Sequence, residues 1–413
     1  MKVLQVNAVY KKGSTGKITY DIHHALEKSG IESVVCYGRG EKTSDINVYK
    51  VCGEFYSYFN HFMSKCTGIM YGGCFVSTLK LKRIIKRERP DIVHIQCING
   101  YFVNIYDLIL WLCKNRIKTV ITLHAEFMYT ANCGHSLECE RWKIGCGQCP
   151  RYKTEIGSYF FDNTSISWNK MYKSFQNFNQ DLIVTSVSPW LMNRAMESPI
   201  MKNKKHRVVL NGLNTEVFHY YNETELLDVK RKYSITNEKI IFHATPFFTD
   251  DKNHIKGGNY VIELARKLSK YNFKVIVAGA YKENIDVPDN LFLLGKITDQ
   301  NELAKLYSIA NLTVLTSKKE TFSMVTAESL CCGTPVVGFR AGGPEQISIE
   351  KYSEFVNYGD LDKLFNVILN WNRDSIDKKE ISQQSKQRFG RDKMCENYIN
   401  VYKELIKLGE GGK

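Results

Sequence analysis

Ten apolar, β-branched runs of six to eight residues, separated by helical patterns, leave this chain few ways to fold. Five come early: KVLQVNAV (2–9), ESVVCYG (32–38), DIVHIQ (91–96), KTVITLH (118–124) and DLIVTSVS (181–188). Five more follow KNKKHRVVLNGLNTEVF: KIIFHAT (239–245), FKVIVAGA (273–280), NLFLLGKI (290–297), NLTVLTS (311–317) and TPVVGF (334–339). Continuous apolar strands alternating with helices such as YDLILWLCKN and NYVIELARKLSKY predict parallel sheets buried on both faces. The alternation stops and restarts once. The fold class expected is therefore α/β, as two doubly wound, Rossmann-like domains facing across a cleft. Residues 1–204 form the first and 205–389 the second, with a last amphipathic helix, 390–410, returning to the first.

The chain has 413 residues, 43% of them hydrophobic, enough to bury two sizeable cores. A net charge of +14 favours an anionic partner without choosing one. The apolar run at the N-terminus is too short for a signal peptide, and nowhere do 18 apolar residues run together. The expectation is a cytoplasmic protein, peripheral at most to the inner face of the membrane.

In doubly wound sheets, ligands bind outside the C-terminal ends of the strands. Gly13, Ser14 and Gly16 follow the first strand in what reads as a glycine loop, while His94 ends DIVH within the third run and His124 ends the fourth. Lys256 and Gly257 follow KIIFHAT; Glu320 follows NLTVLTS; Ala341, Gly342 and Gly343 follow TPVVGF. A histidine at a strand end is more often structural than functional, but here many candidates fall on one side of the sheets.

The stretch ETFSMVTAE (320–328) places two glutamates eight positions apart. On a continuous helix they would be separated by about 12 Å and about 80°, so they cannot share one atom. Ser323 is the expected N-cap and Gly333 the stop, which leaves Glu320 on a loop and Glu328 in the second turn. A loop carboxylate, a helix N-terminus and a second carboxylate can hold three parts of one long polar anion.

Glu320, Phe322 and Glu328 followed by CGTPVV and AGGPEQI resemble the E-x7-E signature of retaining GT-B glycosyltransferases of family four. GSTGKI, the YGR of Tyr37 to Arg39, PDIVH, TLH, VVLNGLNTEVF and HIKGG resemble further segments found in order in that family. The resemblance is closest to bacterial members that build capsular polysaccharide or exopolysaccharide and carry a cysteine-rich segment after TLH. It implies transfer of a sugar from a UDP- or GDP-sugar donor to a saccharide acceptor, lipid-linked in the reading preferred, with retention of configuration. Glu328 is implied to bind the ribose and Glu320 to face the donor sugar. Lys256 and the backbone of Phe322, Ser323 and Met324 are implied to hold the diphosphate. His124 is implied beside the transferred sugar, and Gly13, Ser14, Gly16, Arg39 and His94 on the acceptor and phosphate loops. No catalytic metal is expected, the protein rather than a bound divalent ion carrying the diphosphate charge. Thr245 stands near the place of the family's usual arginine, for which Lys252 or Lys318 could substitute; Ala125 and Glu126 stand where many relatives have Asp after the histidine.

Cys133, Cys139, Cys146 and Cys149 fall within one loop, with Gly145 and Gly147 permitting a tight turn. The set suits a structural zinc; reduced, metal-free thiols or a redox pair are the alternatives. Residues 80–89, KLKRIIKRER, set Leu81, Ile84 and Ile85 between six basic residues, just after the aromatic FYSYFNHF. They read equally as an ordinary amphipathic helix and as a contact to anionic membrane.

Two other readings stand beside the transferase. A nucleotide-sugar epimerase or phosphorylase needs an acid–base pair or phosphate pocket that the sequence does not show. A basic zinc-containing nucleic-acid binder explains the charge and cysteines but leaves the duplicated α/β units idle. No nucleic-acid partner is expected.

Overall fold

The computed structural model describes residues 1–371 and 377–410. The chain divides into two compact units, residues 1–210 with 394–413 and residues 211–393.

The first unit holds seven parallel strands: β1 (Lys2–Asn7), β2 (Glu32–Tyr37), β3 (Val48–Lys50), β4 (Ile92–Ile95), β5 (Thr119–Leu123), β6 (Leu182–Ser186) and β7 (Lys205–Val208). Their order is β3-β2-β1-β4-β5-β6-β7. The chain starts in the middle, winds to one edge, then crosses back, so the order reverses between β1 and β4. The division falls after Leu210 because β7 pairs with β6 as an edge strand. Its sequence, KHRV, is charged and only half buried, so it reads as linker when met without its neighbour. The first helix spans Gly13–Lys28 and begins at Gly13 itself, so the GSTG segment forms its first turn and is not a separate loop.

Helix Phe75–Glu88 turns Leu81, Ile84 and Ile85 inward, where all three are buried, and Lys82 reaches Asp107 at 2.7 Å. The apolar stripe of residues 80–89 therefore packs on the domain core. The C-terminal helix, Arg391–Glu410, lays Met394, Tyr398, Val401, Tyr402 and Leu405 against Val3, Ile22, Ile92, Val120 and Ile183 of the first unit. These positions follow the three- and four-residue spacing of one helix face.

The second unit holds six parallel strands: β8 (Lys239–Phe248), β9 (Phe273–Tyr281), β10 (Leu291–Leu293), β11 (Leu312–Leu315), β12 (Val336–Phe339) and β13 (Ser353–Val356). Their order, β10-β9-β8-β11-β12-β13, repeats the same winding and reverses between β8 and β11. Its core gathers Ile241, Val275, Val314 and Val337 of the sheet with Val261, Leu264 and Leu268 of helix Gly258–Leu268. Strand β8 runs past the expected end through an irregularity between Ala244 and Phe247. Among the described residues, no helix is long and apolar enough to cross a membrane.

Candidate functional site

In the second unit, three loops meet where the strand order reverses. The loop after β8 lies against the loop after β11: Lys318 N donates to Ile255 O at 2.8 Å, and Thr316 Oγ1 donates to Lys256 O at 3.0 Å. Gly257, with φ +64°, permits this approach, since a Cβ there would stand 2.3 Å from Thr316 O. The loop after β12 joins by a short parallel bridge. Glu320 N donates to Ala341 O at 3.0 Å, and Gly343 N donates to Glu320 O at 2.9 Å. A side chain at Gly343 would meet Thr321 O at 2.6 Å.

The backbone so fixed sets the charges. Lys256 Nζ donates to Glu320 Oε1 at 2.5 Å, with both side chains partly open to solvent. Ser323 caps helix Met324–Cys331 by accepting from Thr326 N at 3.2 Å, at a φ of +82° that an L-residue adopts at a cost of roughly 1–3 kcal/mol. Phe322 is buried, its ring edge-on to Phe389. Glu328, on the helix, accepts from the hydroxyl of Tyr307 at 3.0 Å. Tyr307 is fully buried, and burial together with the Glu328 charge holds its hydroxyl protonated, so it acts as a fixed donor. The two glutamates thus occupy different settings, one on a lysine in a loop and one on a buried tyrosine at a helix.

Glu345 and Tyr307 were not singled out from the sequence. The Glu345 carboxylate accepts from Ala341 N at 3.0 Å and Gly342 N at 2.9 Å, bracing the glycine turn. Its place three residues after Gly342 lets the carboxylate reach back to the N-cap backbone, but with glycine at the cap the Ser/Thr half of a capping-box signal is missing. Tyr307 offers no signal either, being one of several apolar residues on helix Gln300–Ile309. Thr245 is buried at the β8 irregularity and its hydroxyl donates to Phe247 O at 3.1 Å, so it supplies no charge. Lys318 lies in the loop that binds Ile255, whereas Lys252 is exposed.

In the first unit, buried Asn7 joins the ends of β1 and β4. Its Oδ1 accepts from Cys97 N at 3.0 Å and its Nδ2 donates to Val9 O at 2.8 Å and Thr15 Oγ1 at 3.4 Å. Gly16 packs tightly there: an added Cβ would stand 3.2 Å from Val9 Cγ2. Gly13 has φ +68° and open space around it, and Ser14 follows in the same turn, exposed. Arg39 is tied to this edge through its N–H, which donates to Ala8 O at 2.7 Å, while its guanidinium donates to Glu54 at 3.2 Å.

His94 does not stand on a loop. It is fully buried in β4, with Nε2 2.7 Å from Thr122 Oγ1 and Nδ1 2.7 Å from the hydroxyl of Tyr402 on the C-terminal helix. Both ring nitrogens are engaged, and the expectation that it serves an acceptor loop gives way to a packing role. His124 follows β5 and is partly open, yet surrounding atoms push its pKa down to about 4, so the imidazole is neutral near pH 7. Glu126 turns into the interior: Oε2 accepts from Ser136 N at 3.0 Å and from the Ser136 hydroxyl, and lies 3.6 Å from Arg194.

Ser136 belongs to the cysteine-rich loop. Cys133, Cys139, Cys146 and Cys149 are partly buried free thiols, and burial pushes Cys133 and Cys149 up and Cys146 up to about 12. Among the described residues, no three of these sulfurs lie within 4.8 Å of one another. Tetrahedral zinc with Zn–S near 2.3 Å needs sulfurs about 3.8 Å apart, so the four do not form a closed site as placed. The donors that do gather within 4.8 Å are His23, His24 and Glu27, whose polar atoms already bond Ser33 and one another.

Two parallel doubly wound units with polar loops at each point of reversal define the GT-B class of α/β proteins. The matching solved structures include Anabaena Alr3699/HepE in complex with UDP, at a TM-score of 0.65, 13% identity and coverage of 98% of this chain and 100% of that one. Residues 15–217 match the family model Glycosyltransferase Family 4, and residues 236–388 match Glycosyl transferases group 1. The chain belongs to this glycosyltransferase family. N-acetyl-alpha-D-glucosaminyl L-malate synthase of Bacillus anthracis is 24% identical over 350 residues, 81% of this chain and 80% of the relative. An Escherichia coli chain named as a colanic acid biosynthesis glycosyl transferase, WcaC, is 20% identical over 98% of this chain and 100% of its own length.

Proposed function

We propose that this glycosyltransferase moves a sugar from a nucleotide-sugar donor to a saccharide acceptor, lipid-linked, in polysaccharide assembly, with retention of configuration. The observation that carries the reading is the separation of the two glutamates, Glu320 on Lys256 and Glu328 on Tyr307, around one capped helix start. Carboxylates accept bonds from sugar hydroxyls, and a lysine beside a helix N-terminus offsets a diphosphate.

Glu328, oriented by Tyr307, accepts from the ribose hydroxyls, and Lys256 shares its charge between Glu320 and the diphosphate. The bond from the anomeric carbon to the diphosphate oxygen breaks while the acceptor oxygen bonds the same face. The acceptor proton passes to the leaving phosphate. His124, neutral, supplies a hydrogen bond to a sugar hydroxyl and not a charge. The UDP bound by HepE and the name of the E. coli relative support a nucleotide-sugar donor and a polysaccharide product.

The test is thermal stabilisation of the purified chain by UDP- and GDP-sugars, followed by NMR assignment of the anomer formed with the donor that stabilises. Stabilisation by one nucleotide class and a product of unchanged anomeric configuration are expected. An inverted product would overturn the retaining mechanism, and no response to any nucleotide sugar would overturn the donor.

A further inference from the structure

Helix Glu54–Thr67 is turned inside out. Its buried residues are Ser57 and Ser64, while Phe55, Tyr58, Phe59, Phe62 and Met63 face solvent, with Phe55 84% and Phe62 54% exposed. Positions 55, 58, 59 and 62 form one continuous helical stripe, the arrangement expected of a helix whose apolar side meets something other than its own core. The sequence pattern alone does not say which side is inward; the structure does.

Two neighbours extend the stripe. The helix Phe75–Glu88 starts beside it, since Asn60 Oδ1 accepts from Cys74 N at 2.7 Å and the hydroxyl of Tyr56 accepts from Val76 N at 3.2 Å. That start exposes Phe75, Val76 and Leu79, with Phe75 at 63%. At the other end Tyr159 N donates to Lys65 O at 2.8 Å, and Gly68 packs so closely on Phe161 O that a Cβ would stand 2.2 Å away. Tyr159, Phe160 and Phe161 are all exposed there. Three separate segments thus converge on one aromatic face, and an apolar patch of this kind on a water-soluble surface marks an interaction site.

The surrounding charge selects the occupant. Residues 54–89 carry seven Lys or Arg against two Glu. Arg39 stacks on Tyr58 at 4.7 Å, Lys65 lies over Tyr159 at 5.8 Å, and Lys80, Arg83 and Lys86 are exposed on the adjoining helix. Aromatic rings bordered by lysine and arginine match the interface of an anionic bilayer, where rings enter the headgroup layer and cations meet lipid phosphate. We infer that the face built by helix Glu54–Thr67, the start of helix Phe75–Glu88 and Tyr159–Phe161 docks the first unit on an anionic lipid surface. The aromatic residues, Phe75 among them, supply the insertion; the basic stretch 80–89 supplies attraction only, because Leu81, Ile84 and Ile85 are spent on the core.

The experiment is flotation of the full chain with phosphatidylglycerol–phosphatidylcholine vesicles and with phosphatidylcholine vesicles alone. The wild type should float with the anionic vesicles and less so at high salt. Phe55→Ser/Phe59→Ser/Phe62→Ser should weaken partitioning by roughly tenfold or more while leaving the thermal midpoint unchanged, because the three rings are exposed. A Phe62→Trp variant should shift its emission to the blue on vesicles. Wild type that does not float, or a triple variant that floats as well as wild type, overturns the proposal. So does a wild-type dimer in light scattering that the triple variant turns into a monomer, which would assign the face to a second copy. The vesicles hold no acceptor and the donor screen uses no lipid, so failure here is separate from failure of the transferase reading.

Discussion

Lys256 Nζ lies 2.5 Å from Glu320 Oε1, joining the loop after β8 to the loop after β11 by a charged hydrogen bond. The pair is partly exposed, so solvent screens it and its worth to stability is small. Its effect is on position: Glu320 fixes the ammonium, which the proposed mechanism shares with a diphosphate. Lys256→Ala should lower kcat/KM by about 10²–10³-fold, the loss typical of removing one charge-stabilising donor. Glu320→Gln should depress kcat while leaving donor affinity within a few-fold. Steady-state kinetics on both variants checks this, and equal loss of affinity and turnover in the two would sink the division of labour.

Glu328 tests the other half. Glu328→Ala should weaken donor binding by roughly 10- to 100-fold, since a hydrogen bond to a charged group contributes about 1.5–3 kcal/mol. Tyr307→Phe should give a smaller loss of the same kind, because it removes only the hydroxyl that orients the carboxylate. Calorimetry with the stabilising donor is the measurement, and a fall in kcat with unchanged affinity would contradict it.

Three histidines set a pH dependence. Burial pushes His94 down to about 3, aided by the nearby His124, and pushes His124 and His243 down to about 4. In the unfolded chain each titrates near 6.5, so below that pH the unfolded state binds protons that the folded state refuses. Stability is therefore full above about pH 6.5 and declines as the pH falls toward 4, by up to about 1.4 kcal/mol per pH unit for each fully buried ring. Urea unfolding at pH 7, 6 and 5 should show the decline, with a shallower slope for His94→Gln. A flat profile, or a slope unchanged in that variant, would count against it.

Zinc at Cys133, Cys139, Cys146 and Cys149 is a proposal that requires the sulfurs to move together from where they stand. Binding must also displace thiol protons that burial holds in place. Protein purified without chelator should contain one zinc per chain by elemental analysis, and Cys146→Ser should lose it together with thermal stability. Metal-free protein with four reactive thiols would end the idea.

The sequence made the central strands legible because they are apolar on both faces. Three of the four edge strands were not: β3, β7 and β13 are only partly buried, so their residues lack the apolar continuity that marks a strand. The glutamate spacing and the Ser323 cap were readable from helix geometry and capping chemistry. The buried partners were not, because Tyr307 becomes a donor to Glu328 only when two distant segments pack. His94 shows the same limit in reverse. A polar residue at a strand end looks available until Tyr402, 308 residues later, covers it.

That covering helix bears on how the chain is made. Residues 394–410 follow the whole of the second unit along the chain, yet they fill the core over Val3, Ile92 and Val120 of the first. During translation the first unit waits with part of one side of its sheet uncovered, while the second unit has all its segments by residue 393. Of the two units, the one whose strands come earlier in the chain is completed after the other, and premature termination anywhere before Tyr398 leaves exposed apolar surface of the kind that chaperones bind and aggregates recruit.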